Sequence, residues 1–153
     1  MNQIKILPFC VFLLLSCNNT DIYNDYVDVP RDVWTKNSAL TFEVDASSVQ
    51  SDLPHNVFVN VRNTADYRFQ NLWLFISITA PDKSVTNDTI DFYLADNRGK
   101  WLGSGVGALR QMQVLFLQNF KFSQKGTYRF DIEHGMRENE ITGISSVGLQ
   151  ISD

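Results

Sequence analysis

From Ala39 onward, apolar residues fall on every second position, the spacing of strands that bury one face. Leu40, Phe42 and Val44 form the first set, Val57, Val59 and Val61 the second, and Leu72, Leu74, Ile76 and Ile78 the third. Ile90, Phe92 and Leu94 follow, then Tyr128, Phe130 and Ile132, and last Val147, Leu149 and Ile151. Between Met112 and Phe122 the first half is apolar on both parities, which predicts a central strand buried on both faces or one that bends between sheets. Polar segments such as Asn63 to Asp66 separate the sets as turns. Seven short strands without strand-helix alternation predict an all-β fold, an antiparallel β-sandwich of Ig-like or jelly-roll kind, over residues 37–153. One short helical turn is expected at Gly135 to Thr142, where Met136, Ile141 and Ile144 would cap one end of the sandwich.

The start of the chain has a different pattern. Lys5 precedes an apolar run from Ile6 to Leu15, and Ser16 and Cys17 follow it. The run is ten residues long, and a transmembrane helix needs roughly 20, so the pattern is that of a cleavable secretory signal over residues 1–16. Leu14-Leu15-Ser16-Cys17 resembles a bacterial lipobox, in which the cysteine is diacylated and becomes the new amino terminus. Two acyl chains give a stable anchor where one gives only reversible binding. Residues 17–36 show neither strand nor helix periodicity and are expected to form a tether, with Val29, Val33 and Trp34 docking its last part onto the domain. The expected location is the cell envelope, lipid-anchored, with the outer membrane favoured because Asn18 and not an aspartate follows Cys17.

Composition narrows the possibilities. The 153 residues are 44% apolar and 20% charged, enough for one packed core. Net charge is −4, and −5 once Lys5 departs with the leader. The bases are scattered singly among acids, which argues against nucleic acid as a partner. Cys10, the only cysteine besides Cys17, lies in the leader, so no intrachain disulfide is expected in the processed protein and Cys17 serves as the lipid attachment point.

Little of the sequence points to a reaction. Leu94 to Leu109 is glycine-rich, with Gly99, Gly103, Gly105 and Gly107, but neither Rossmann nor P-loop spacing is present. A long loop needing positive φ or close backbone approach accounts for these glycines. Trp101 within it is either a plug on the sandwich edge or an exposed contact. His55 and His134 have no partner at metal or catalytic spacing and read as solvated loop residues. Asp82, Asp88, Asp91 and Asp96 with Asn87 and Asn97 offer oxygen ligands, but turn formation explains them without an ion. No nucleophile and base pair is recognisable, and neither enzymatic activity, cofactor nor metal is expected. On the parity opposite the core, Phe58, Trp73, Phe75 and Tyr93 predict one sheet with an aromatic outer face. Such a face is covered by the chain itself or serves as an interface, for protein or, in a carbohydrate-binding alternative, for the flat face of a sugar.

The lipobox, the loop LADNRGKWLGSGVG at residues 94–107 and GTYRFDIEHGMRENEITGISSVGLQI at residues 126–151 together resemble the gliding-motility lipoprotein GldH family of Bacteroidota-type bacteria. The resemblance implies a non-catalytic envelope lipoprotein, a structural or assembly component linked to gliding motility and type IX secretion, whose partners are other envelope proteins. It singles out Gly99, Trp101, Gly103 and Gly105, with Met136 and Arg137, as candidate interaction positions that could equally be fold determinants. Trp73, Phe75 and Tyr93 join them from the aromatic face.

Overall fold

A computed structural model describes residues 21–47, 49 and 53–153, so the leader and Cys17 lie outside the described residues. Among the described residues, ten strands and one short turn of 3-10 helix form the domain. One antiparallel sheet is ordered β1 (Asp21–Asp28), β10 (Ile144–Ser152), β4 (His55–Asn63), β7 (Arg110–Phe120). The facing sheet is ordered β3 (Leu40–Asp45), β8 (Thr127–His134), β5 (Asn71–Thr79), β6 (Val85–Tyr93). That strand order, with the chain passing repeatedly from one sheet to the other, is the jelly roll and decides between the two sandwich types expected. A two-stranded ribbon of β2 (Val33–Thr35) and β9 (Glu140–Thr142) closes one end.

The expected alternation produces the core directly. Phe42, Phe130, Leu72, Leu74, Ile76 and Ile132 from one sheet meet Val57, Val59, Val61, Val147, Leu149 and Ile151 from the other, all essentially without solvent contact. Burying a side chain of this size is worth about 1.5–3 kcal/mol, so the inward rows carry the domain's cohesion.

Four expectations need correction. Residues 21–36 are part of the sandwich: β1 pairs along its length with β10, the 3-10 turn occupies Pro30–Asp32, and β2 pairs with β9. Tyr23, Val27, Val29 and Trp34 supply apolar contacts too widely spaced for a period to show, although Val29 and Trp34 are buried as expected. No helical turn forms at 135–142. Glu140, Ile141 and Thr142 alternate exposed, buried, exposed as β9, while Met136 and Ile141 still cap the core. The segment from Met112 is an edge strand, since β4 is the one strand beside β7 among the described residues. Its double parity comes from two register shifts: Leu115 pairs with Phe58 and Leu117 with Val57, which leaves Phe116 as an extra residue, and a second shift follows before Phe120 pairs with His55. Finally, His55 and His134 are buried at the ends of inward rows, not solvated.

Candidate functional site

The strand registers define two ends. Asp21, Ser152, Asn56, His55 and Phe120 share one end through the β1–β10, β10–β4 and β4–β7 pairings. The β2–β9 ribbon, the loop after β6 and the turn after β8 share the other. Because β1 begins at the first end, the chain toward Cys17 leaves from there. The glycine-rich loop and residues 135–139 therefore stand on the far end.

At the far end the glycines build a rigid loop. Gly99 and Gly107 adopt positive φ. Gly103 and Gly105 have no room for a side chain: a Cβ would fall 2.6 Å from the Gln111 carbonyl oxygen and 2.2 Å from that of Leu109. Such approach lets Ser104 and Gln111 exchange two backbone hydrogen bonds, N–H to O, at 3.0 and 2.7 Å. Asp96 organises the first part of the loop by accepting from the Arg98 and Lys100 backbone N–H groups. Trp101 bridges to Ala95 and packs, half-buried, against the core margin, which makes it chiefly a plug. The loop exposes Leu102, Leu109 and, between Gly105 and Gly107, Val106, which is 95% accessible. An apolar β-branched residue between glycines in a loop was the available sequence signal for this tip.

Trp73, Phe75 and Tyr93 lie on the outer face of the β3-β8-β5-β6 sheet, 42%, 47% and 57% exposed, so none of the described residues covers this aromatic strip. Phe58 does not join it, because β4 belongs to the other sheet, where Phe58 is half-buried beside Leu115. The strip reaches the far end through the turn after β8. Gly135 N–H donates to the Trp73 carbonyl at 2.7 Å, and the Trp73 N–H meets Met136 Sδ at 3.5 Å. The Phe75 ring lies over Gly135, where a Cβ would sit 3.0 Å from it. Met136 is thus a buried brace, whereas Arg137 is exposed beside Trp73 and Phe69 in a shallow depression. Phe69 also borders the neighbouring depression below Trp101, and so joins strip and loop into one surface. Sequence reading did not single out Phe69, whose neighbours Arg68 and Gln70 carry no strand pattern.

Other candidate chemistry resolves into structure. Asp82 accepts from the Ser84 backbone N–H and hydroxyl, and these bonds lower its pKa to about 2. Asn87 accepts from the Ser77 hydroxyl, and Asp91 from the Asn71 amide. Among the described residues, no grouping of three or more His, Cys, Asp or Glu could hold a metal ion.

Fold and surface together define an all-β jelly-roll domain that presents an aromatic and apolar surface toward the end opposite the start of β1. The profile of the GldH lipoprotein family matches residues 21–151, and the chain belongs to that family of lipid-anchored envelope proteins. It is 33% identical to the gliding motility lipoprotein GldH homolog of Christiangramia forsetii, over 97% of this chain and 94% of that one. It is 29% identical to gliding motility lipoprotein GldH of Flavobacterium johnsoniae, over 95% and 93%. Among solved structures, it is similar to dimeric latent PorU from Porphyromonas gingivalis, with TM-score 0.40 and 9% identity over 86% of this chain and only 13% of that one. The infectious bursal disease virus Gx strain structure aligns with TM-score 0.34 and 12% identity, over 87% and 30%.

Proposed function

We propose that this protein is a non-catalytic envelope component that is acylated on Cys17 after removal of residues 1–16 and docks other envelope proteins of the gliding and type IX secretion apparatus. Acylation without the inner-membrane aspartate favours the outer membrane as its seat. The observation that carries the docking role is the strip of Trp73, Phe75 and Tyr93, exposed among the described residues and joined through Phe69 to the glycine-rich loop at Trp101, remote from the end where β1 begins. Aromatic side chains flanked by polar groups are the usual anchors of protein interfaces. The outer face of the opposite sheet is more polar: Arg62 stacks on Tyr26 at 3.8 Å, and Gln150 bridges Asp21, Asn60 and Gln113, with Leu115 exposed beside Phe58.

Phe75→Arg is the direct test. It puts a charge at the centre of the strip while leaving the inward row intact. Detergent extracts should yield co-purifying envelope proteins with the wild type and at least tenfold less with the variant, at unchanged far-UV CD and melting temperature. Undiminished capture would remove this face as the docking surface.

A further inference from the structure

The sandwich is closed along one side and open along the other. At the closed side β1 lies against β3. At the open side the edges are β6 and β7, each hydrogen-bonded to a single neighbour. There the inward row of β6 turns polar: Phe92 is buried, but Asp88 and Thr86, paired with core residues Ile76 and Ile78, are exposed. The facing β7 stays apolar to its end, and Phe116, Leu117 and Phe120 are left only half-buried. Between the two edges is a cleft of about 360 Å³, walled by Ile78, Ala80, Phe116, Leu117, Phe120 and Tyr128, with Thr86, Asp88 and Lys121 at its rim. An apolar trough with one polar margin fits an amphiphile with a hydrocarbon tail.

Its position identifies which one. The cleft opens at the end where β1 begins, because Asp21 shares that end with Phe120. From β1 to β7 are three strand spacings, roughly 14 Å at about 4.8 Å each. Cys17 precedes Asp21 by four residues, which span at most roughly 14 Å. Fully extended, that stretch is long enough to bring the first carbons of a chain on the Cys17 sulfur to the mouth of the cleft. We infer that, away from a bilayer, one acyl chain of Cys17 folds back between β6 and β7 and is sheltered there. In a membrane the same chain returns to the lipid, because the cleft as the described residues form it is open and offers no closed cavity. The inference rests on the acylation of Cys17 proposed above.

A diazirine-bearing fatty acid, supplied to growing cells, tests both statements separately. Intact-mass measurement of the purified full-length protein first reads whether the photoreactive chain is on Cys17. If it is, irradiation in detergent-free amphipol should place adducts on peptides spanning 80–88 and 116–124. Thr86→Trp, at an exposed rim position, plugs the cleft and should reduce those adducts at least fivefold with unchanged far-UV CD. An acylated protein whose adducts lie elsewhere, or are unaffected by the plug, overturns the docking and leaves the anchor standing. Absence of the acyl group from Cys17 overturns both.

Discussion

His134 is 1% exposed at the end of the inward row of β8, edge-on to Trp34 at a ring separation of 5.5 Å, and neither ring nitrogen has a hydrogen-bond partner of good geometry. Burial, and then the nearby Lys36 charge, push its pKa below the ordinary value, against smaller opposite pulls from the Trp34 backbone and Glu138. The unfolded chain therefore takes up a proton at higher pH than the folded one. Stability from the neutral ring is complete above about pH 6.5, the unfolded value, and is lost as pH falls through the lower folded value. Thermal melts from pH 8 to 4.5 should show the wild type losing stability more steeply below pH 6.5 than His134→Phe, which keeps the contact with Trp34 and has nothing to titrate. Parallel curves would mean that the imidazole is not held neutral. Gly143 is the other residue with an individual demand: φ is +88°, and a Cβ would lie 2.2 Å from the Tyr67 backbone nitrogen. Both the turn into β10 and the seat of Tyr67 depend on its lack of a side chain.

Among the elements, β1 has the largest consequence for the boundary of the domain. It covers one side of β10, and Tyr26 lies over Gly148, where a Cβ would stand 2.6 Å from the ring. Without β1, β10 becomes an exposed edge that is apolar on its inward parity, the kind of edge that recruits other chains. A chain beginning at Asn37 should accordingly aggregate or lose cooperative unfolding, whereas one beginning at Asn18 should remain monomeric and unfold in one transition. Size-exclusion chromatography with light scattering and thermal CD distinguish the two. A monomeric, cooperatively folding short form would show that β1 is dispensable. Edges β6 and β7 illustrate other protection: β6 carries Asp88 and Asp91, and β7 is interrupted by its bulge at Phe116.

At the scale of the molecule, the jelly roll sets the start of β1 and the glycine-rich loop at opposite ends. Nine-residue strands such as β5 and β10 hold the two ends roughly 30 Å apart at about 3.3 Å per residue. Residues 80–84 and 121–126 share the end where β1 begins, so the acylation proposed for Cys17 predicts that they face the bilayer and that Val106 faces away. Fluorophores on Lys83→Cys and Val106→Cys in the vesicle-reconstituted lipoprotein should be quenched unequally by nitroxide-labelled lipid, at least threefold more at position 83. Equal quenching would mean that the domain lies flat and that the far end is not held clear of the membrane.

Alternation of apolar residues sufficed for the all-β class and for nearly every inward side chain, because a strand's two faces are set by parity and need no knowledge of neighbours. The glycines at 99, 103, 105 and 107 were legible as loop residues for the same local reason, since backbone freedom is a property of the residue itself. Which strands neighbour which was not local information. Pairing of β1 with β10 joins residues more than 100 positions apart, and it alone turned residues 21–28 from tether into sheet. The same long-range pairings sent Phe58 to the other sheet, buried both histidines, and opened the cleft between β6 and β7 at the end where β1 begins. Sequence by itself determined what each segment can be; tertiary structure decided which end it occupies, because burial and proximity depend on strand order and no residue carries that order alone.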